Sequence, residues 1–129
     1  MTRADVSVVV VTYDALPWLE LCLENVAGYE TIVVDHGSTD GSVELVRGRF
    51  PDVRLVEQEN RGLAAGWNRG ILETSSAYVL ILNADARMEP GSLAKLADFL
   101  DAYPRTGLVA PALRYPDGRW QPTRRRFPT

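Results

Sequence analysis

Apolar and polar positions alternate along the chain in blocks that predict strands and helices in turn. Short β-branched runs, typical of strands covered on both faces, lie at Val6–Thr12, Thr31–Asp35, Val53–Glu57, Tyr78–Leu82 and Leu108–Ala110. Between them, leucine, valine and phenylalanine recur at helical spacing in a segment that ends at Gly28 and over Val43–Phe50, Leu63–Leu72 and Pro90–Tyr103. Strands that alternate with helices in this way predict βαβ units and a mostly parallel sheet. The predicted fold class is α/β.

The chain changes character after the last of these predicted strands. Tyr115–Gly118 carries a Pro-Asp-Gly turn signal, and Trp120–Thr129 is predicted to be irregular. Residues 114–129 hold five arginines and one acid, a charge of +4, while the whole chain has a net charge of −3. The remainder therefore carries −7. We predict a globular part over residues 1–113 and a basic segment over 114–129.

Composition excludes several classes of protein. With 129 residues, 46% of them hydrophobic and 24% charged, the chain is typical of one globular domain rather than a disordered one. A single cysteine, Cys22, rules out an internal disulfide and is predicted to be a small core residue. No apolar run approaches the length of a membrane span, and the first residues have no signal-peptide layout, so a cytoplasmic location is expected.

The charge distribution bears on partners. A mildly acidic body argues against a nucleic-acid-binding protein, which normally presents a basic face. The basic segment leaves three interpretations open: an anion site, a contact with a membrane surface, or a solvated chain end.

Polar residues follow the predicted strands at the points where ligands bind in open α/β sheets, outside the carboxyl ends. Acids gathered at one such edge are easier to tolerate when a cation or ligand hydrogen-bond donors are present. The dinucleotide-binding pattern G-x-G-x-x-G and the P-loop pattern are both absent, which argues against a nicotinamide enzyme and a P-loop NTPase. The residues at the predicted strand ends are Thr12, Tyr13, Asp14, Asp35, Glu57, Asn83 and Asp85.

Four segments in order carry a family resemblance: Val6–Asp14 (VSVVVVTYD), Ile32–Ser42 (IVVDHGSTDGS), Asn60–Gly70 (NRGLAAGWNRG) and Val79–Arg87 (VLILNADAR). Together they closely resemble the N-terminal, donor-binding half of the family 2 inverting glycosyltransferases of GT-A fold. Three later stretches look most like the bacterial rhamnosyltransferase branch: Pro90–Leu93 (PGSL), Val109–Pro111 (VAP) and Arg114–Thr129. The resemblance implies a Rossmann-like, mostly parallel sheet flanked by helices and truncated on its C-terminal side.

The resemblance also implies site residues. Asp85 matches the carboxylate that holds a divalent cation, Mg²⁺ or Mn²⁺, and Asn83 stands where that motif often has a second acid. Asp35 matches the acid that accepts a hydrogen bond from the N–H of a pyrimidine ring. His36 is predicted to be a hydrogen-bonding neighbour rather than a catalyst. The full set of implied donor-binding residues is Thr12, Tyr13, Asp14, Asp35, Gly37, Asn60, Gly62, Asn68, Asn83 and Asp85.

The implied function is inverting transfer of a sugar from a dTDP- or UDP-sugar, with rhamnose suggested by the branch, to an acceptor hydroxyl. The acceptor would be a sugar or a lipid-linked sugar, used in cell-surface polysaccharide synthesis at the inner face of the membrane. The family's catalytic base is expected beyond Thr129, together with the acceptor-binding half, so the chain alone is expected to be inactive and to self-associate. The alternative is a non-catalytic nucleotide-sugar-binding module that requires another chain.

Overall fold

The computed structural model describes residues 5–128, which fall into two compact units that divide between Glu89 and Pro90. The first unit alternates strands and helices as predicted. Its elements are β1 (Val6–Thr12), α1 (Leu16–Asn25), β2 (Glu30–Asp35), α2 (Ser42–Arg49), β3 (Arg54–Glu57), α3 (Leu63–Leu72) and β4 (Tyr78–Asn83).

The four strands form one parallel sheet in the order β3-β2-β1-β4, which confirms the predicted α/β class. The register sets Asp35 between Thr12 on β1 and Glu57 on β3, and it sets Asn83 opposite Val11. Because all four strands run the same way, their carboxyl ends meet at one edge. This edge and the loops that follow it are called the carboxyl edge below.

The core of the first unit lies between one face of the sheet and the helices α1 and α2. Val8 and Val10 point to that face and pack with Leu19, Cys22 and Val33, all almost completely buried. Cys22 is thus a small core residue, as predicted. Successive strand residues point to opposite faces, so Val9 between them faces the other side of the sheet.

Leu21 is 46% exposed, although it is one of the apolar residues in the helical segment predicted to end at Gly28. The helix turns by about 100° per residue, so a residue two positions after Leu19 lies on the opposite side from the core. The helix also ends at Asn25, and a turn leads from there to Gly28.

Helix α3 lies unusually close to the other face of the sheet because two of its residues are glycines. A Cβ atom on Gly70 would lie 2.3 Å from Cγ1 of Val9, and one on Gly66 would lie 2.8 Å from Cγ2 of Val11. Both distances are too short for two carbon atoms in contact. The glycines therefore let the helix backbone approach β1 where any side chain would hold it away.

The second unit contains α4 (Ser92–Ala102) and a two-stranded antiparallel hairpin of β5 (Leu113–Arg114) and β6 (Trp120–Gln121). The predicted turn is confirmed: the amide of Gly118 donates to the carbonyl of Tyr115 at 2.9 Å, and Gly118 has the positive φ, 89°, that favours glycine.

Two expectations for this unit were wrong. Leu108–Ala110 forms no strand in the described chain, and Leu108 is 83% exposed. An apolar run becomes a strand only where another strand pairs with it, and here the pairing occurs further along, at β5 and β6. Trp120–Gln121 is accordingly a strand rather than irregular. Thr129 lies outside the described residues.

No helix in the described part of the chain is both long enough and apolar enough to span a membrane.

Candidate functional site

Asp35 is the most deeply buried acid of the carboxyl edge, with 1% of its surface exposed. Its Oδ2 accepts hydrogen bonds from the amides of Gly37 and Ser38, at 3.0 and 2.9 Å. Gly37 has φ 86°, so the turn that brings these amides back to the carboxylate suits glycine. The other oxygen, Oδ1, is buried and has no hydrogen-bond partner among the described residues. A buried acceptor without a donor is costly, and this one calls for an explanation.

Thr12 presents a second polar atom of the same kind on the neighbouring strand. Its carbonyl accepts a hydrogen bond from the amide of His36 at 3.0 Å, whereas its hydroxyl Oγ1 is buried without a partner in the described chain. Since Thr12 and Asp35 are paired in the register, a hydroxyl and a carboxylate oxygen lie on adjacent strands with unused hydrogen-bonding capacity.

Asp14 ties the loop after β1 to the loop after β2. Its Oδ1 accepts from the amide of Thr39 at 2.7 Å, and its own amide donates to Oγ of Ser38 at 2.9 Å. Its φ of 46° is left-handed, a conformation that aspartate tolerates better than most residues. The adjacent Tyr13 is 57% exposed. The structure therefore gives Asp14 a bridging role, and it leaves the Tyr13 ring at the surface rather than in the core.

Asp40 joins the first turns of two helices at this edge. Its Oδ2 accepts from the amide of Leu16 at 2.9 Å, and its Oδ1 accepts from the amide and the hydroxyl of Ser42 at 3.0 and 2.6 Å. The hydroxyl of Ser42 is the main cause that lowers the pKa of Asp40 below its ordinary value, and the backbone amides add to it.

We predict that Asp40→Ala lowers the free energy of unfolding by about 1–2 kcal/mol at neutral pH, the usual cost of losing such helix-terminal hydrogen bonds. A carboxylate whose pKa is lowered by folding stabilises the protein above its unfolded pKa, and this contribution is lost as the pH falls through its folded pKa. The difference between wild type and variant should therefore shrink below about pH 4. Urea unfolding at several pH values measures the difference in free energy of unfolding between the two proteins. An increase of this difference as the pH falls would contradict the prediction.

His36, the first residue after β2, is buried against α3 rather than exposed as a catalyst would be. Its Nε2 lies 3.1 Å from Nε2 of Gln58, and a Cβ on Gly66 would fall 2.7 Å from the same ring nitrogen. The amide of Gln58 in turn donates to the carbonyl of Asp35 at 3.0 Å. These contacts agree with the hydrogen-bonding role predicted for His36, and they fix the backbone beside Asp35.

A pocket of about 280 Å³ lies where the loop after β3 meets α3, lined by Gln58, Glu59, Arg61 and Ala65. Arg61 forms an ion pair with Glu59 at 2.9 Å. In the same loop, Oδ1 of Asn60 accepts from the amide of Gly62 at 3.0 Å, and Gly62 has φ 94° directly before α3. Asn60 and Gly62 therefore shape the start of this helix.

Asn68 lies on α3, about one turn after Ala65. Its side chain is exposed, and it lies two residues after Gly66, which faces the sheet. Two helical steps amount to about 200°, so Asn68 projects from the side of α3 away from the sheet.

The end of β4 supplies Asn83 and Asp85, both exposed. The amide of Ala86 donates to the carbonyl of Asn83 at 3.0 Å, which closes the turn that presents Asp85. Burial, and to a smaller extent the charge of Asp85, raises the pKa of the Cys22 thiol to about 11, so the thiol is protonated at neutral pH. Its Sγ lies 3.6 Å from the same Asn83 carbonyl.

The turn after β4 offers one carboxylate, that of Asp85, as a ligand for a metal ion. No group of three or more histidine, cysteine, aspartate or glutamate side chains suited to a metal occurs in residues 5–128. Glu57, the acid at the end of β3, forms an ion pair with Arg47. Asp85 has no such pair within the described chain, so its charge is available to a bound cation.

The sequence pattern indicated that the turn with Ser38 and Asp40 caps the following helix, but it did not identify Gln58 or the partners of Ser38 and Asp40 across the edge. Ser38 and Asp40 carry a usable signal, because serine and aspartate after a strand commonly accept hydrogen bonds from nearby amides. Their partners Asp14 and Leu16 lie 24 residues away in the chain, so only the folded structure pairs them.

The comparison with family models gives a match over residues 7–128 to the family described as "Glycosyl transferase family 2". The chain is 32% identical over 139 aligned positions to the N-acetylglucosaminyl-diphospho-decaprenol L-rhamnosyltransferase of Mycobacterium tuberculosis H37Rv, covering 95% of this chain and 45% of that protein. It is 34% identical to the uncharacterized glycosyltransferase YibD of Escherichia coli K12, covering 65% of this chain and 27% of that protein. The chain thus spans less than half the length of either relative.

Among solved structures, the fold is similar to that of Staphylococcus aureus TarS residues 1–349, with a TM-score of 0.66 and 22% identity. The match covers 76% of this chain and 32% of that one. The same TarS segment solved in complex with UDP-GlcNAc gives a TM-score of 0.63 at 23% identity.

Proposed function

The chain belongs to glycosyl transferase family 2 and has the GT-A fold, and from this premise we propose that it binds a dTDP- or UDP-sugar at its carboxyl edge. Family membership supports the transferase class. The proposal concerns the finer points: which nucleotide is bound, which residues bind it, and which acceptor receives the sugar.

The observation that carries the proposal is the unpartnered Oδ1 of Asp35 beside the unpartnered hydroxyl of Thr12. Uracil and thymine present a ring N–H flanked by carbonyl oxygens. Asp35 would accept the hydrogen bond from the N–H, and Thr12 would donate to a neighbouring carbonyl. Both unused atoms are thereby satisfied by one ligand edge. Because both atoms are covered in the free chain, binding requires the loops after β1 and β2 to move slightly.

We infer the other contacts to the nucleotide sugar from the positions of residues at the carboxyl edge. The exposed ring of Tyr13 is able to pack on the base, and the pocket at Gln58, Glu59, Arg61 and Ala65 adjoins the backbone that carries Asp35. Gly37, Asn60 and Gly62 would shape the turns that surround the nucleotide, since the amides of both glycines already bond within those turns. We assign Asp14 to holding those turns in place, through its bonds to Ser38 and Thr39.

The diphosphate would lie at the end of β4, where Asp85 is exposed and without an ion-pair partner in the described chain. Members of this family generally use a divalent cation. A single carboxylate fits Mg²⁺ or Mn²⁺ when phosphates and water complete the coordination. Such an ion, when bound, neutralises the leaving diphosphate as a Lewis acid. Asn83 would hydrogen-bond the ribose or diphosphate without adding charge.

For the reaction we propose inverting transfer, in which an acceptor hydroxyl attacks the anomeric carbon and the nucleoside diphosphate leaves. The Mycobacterium tuberculosis relative is named for L-rhamnosyl transfer to a diphospho-decaprenol-linked sugar. We therefore propose L-rhamnose as the transferred sugar and a lipid-linked sugar as the acceptor, in cell-surface polysaccharide synthesis. The catalytic base is left unassigned. Transfer measured with a radioactive donor distinguishes an active enzyme from the alternative, a module that binds the nucleotide sugar without catalysis.

The metal role is tested by calorimetry with UDP in the presence of Mg²⁺ and then of EDTA. Two unit charges about 4 Å apart repel by roughly 4 kcal/mol at an effective dielectric near 20, so the diphosphate and Asp85 oppose each other without a cation. Chelation should weaken UDP binding to the wild type by about tenfold or more, a fraction of that repulsion. Asp85→Asn should lose most of this metal dependence.

The matched control is Asp52→Asn, an exposed acid in the turn before β3, which should keep the full effect of EDTA. Equal binding of UDP by the wild type with and without EDTA would refute the metal role of Asp85. Binding of ADP or GDP as tight as that of UDP or dTDP would refute the assignment of the base pocket.

A further inference from the structure

The hairpin of the second unit and the residues after it form a surface that the nucleotide site does not use. This basic-aromatic segment, residues 113–127, carries five arginines and one acid. The acid, Asp117, already forms an ion pair with Arg119 at 2.7 Å. Arg124, Arg125 and Arg126 have no acidic partner in the part of the chain that the structure describes, so three adjacent positive charges are uncompensated.

Large apolar side chains are exposed among these charges. Phe127 is 95% exposed and Trp120 is 61% exposed. The guanidinium of Arg114 lies 4.2 Å from the centre of the Trp120 ring, and that of Arg119 lies 5.4 Å from the centre of the Tyr115 ring. The hairpin thus holds cationic and aromatic groups side by side at the surface.

We propose that the basic-aromatic segment docks on the surface of an anionic lipid bilayer. Arginine pairs well with phosphate oxygens, and tryptophan is favoured at the boundary between headgroups and acyl chains. Each arginine near such a surface contributes attraction, and a buried aromatic ring adds hydrophobic stabilisation. The combination of uncompensated arginines with Trp120 and Phe127 matches both properties of this boundary.

The charge of the remaining chain favours a bilayer over a nucleic acid. Outside residues 114–129 the chain carries a net charge of −7. A protein that binds a nucleic acid normally presents an extended basic face, whereas positive charge in this chain is concentrated in one short segment that also carries exposed aromatic side chains.

Sedimentation with vesicles tests the proposal, with no nucleotide present. The chain should bind vesicles made of equal parts of phosphatidylcholine and phosphatidylglycerol, should not bind vesicles of phosphatidylcholine alone, and should be released by salt. The triple variant R124Q/R125Q/R126Q should reduce the partition coefficient on the order of 100-fold, from about 1 kcal/mol for each arginine. Phe127→Ser in the otherwise wild-type chain should also weaken binding to the anionic vesicles, but it should leave the salt dependence of that binding unchanged.

The matched control is R47Q/R49Q/R54Q, which removes the same charge from exposed positions on the first unit. It should change vesicle binding little, and circular dichroism checks that each variant is folded. No binding of the wild type to anionic vesicles, or equal loss in both triple variants, would overturn the proposal. So would tighter binding to a single-stranded RNA than to the vesicles. Because no nucleotide sugar is involved, failure here leaves the proposed donor site untouched, and the converse also holds.

Discussion

An Asp35→Asn variant is expected to bind UDP about 10- to 100-fold more weakly than the wild type, the range for losing a hydrogen bond to a charged group. The asparagine carbonyl takes over the bonds from the amides of Gly37 and Ser38. Its NH₂ group then occupies the place of the unpartnered Oδ1. A donor would thus face the ring N–H of uracil, where the wild type offers an acceptor.

The same geometry makes a prediction about base preference. Cytosine has an acceptor at the ring nitrogen where uracil has a donor. The wild type should therefore prefer UDP to CDP, and Asp35→Asn should narrow or reverse that preference. Calorimetry with both nucleotides on both proteins gives the ratio directly. Since the substitution removes a buried charge, we expect no loss of folding stability.

The matched control is Glu57→Gln, the same acid-to-amide change at the paired position on β3. Glu57 is exposed and engaged by Arg47, so the ratio of UDP to CDP affinity should stay as in the wild type. If Asp35→Asn leaves that ratio unchanged, the unpartnered oxygen does not contact the base, and Asp35 serves only to hold the turn after β2.

Gly70→Ala is expected to lower the free energy of unfolding by about 2 kcal/mol or more. The new Cβ would lie 2.3 Å from Cγ1 of Val9, and Val9 is completely buried in β1. Forcing extra atoms into a packed interior typically costs about 1–3 kcal/mol and sometimes more. This cost exceeds the gain of about 1 kcal/mol that alanine normally brings to a helix. Urea unfolding measures the change.

Two further variants separate packing from helix propensity. Gly48 lies within α2, and a Cβ there would meet no other part of the described chain within 4 Å, so Gly48→Ala should stabilise the protein by about 0.5–1 kcal/mol. Val9→Ala removes the atoms that would clash with the new Cβ. The double variant Val9→Ala/Gly70→Ala should therefore lose less free energy of unfolding than the two single variants lose in total. If Gly70→Ala raised the free energy of unfolding as Gly48→Ala does, the backbone of α3 at Gly70 would not lie in close contact with Val9 of β1.

Much of this fold could be predicted because the relevant signals are local. Six of the seven residues in Val6–Thr12 are β-branched, a composition favoured in covered strands, and the structure has a strand with those bounds. The helix over Leu63–Leu72 was also predicted with its observed bounds, although it contains Gly66 and Gly70. The pattern could not predict that these glycines allow close packing of the helix on the sheet, because their neighbours Val9, Val11 and His36 are distant in the sequence.

The candidate site was also only partly predictable from the sequence. The sequence pointed to Thr12, Asp35 and Asn83 as strand-end residues, and parallel strands necessarily bring such residues to one edge. It could not show that one oxygen of Asp35 is satisfied by the turn and the other is left without a donor. That distinction depends on the φ and ψ angles of Gly37 and Ser38.

By itself, the sequence determined the order of the strands and helices along the first unit and the polar residues at the ends of its strands. These features follow from the spacing of apolar side chains along a local stretch of chain. Only the tertiary structure decided that Asp14 bridges two loops, that His36 lies beneath Gly66, and that the last strands form at Leu113–Arg114 and Trp120–Gln121 instead of Leu108–Ala110. Each of these outcomes depends on a partner that the local sequence does not specify. A hydrogen bond, a close packing contact or a strand pairing stabilises the chain only when the fold brings both members together.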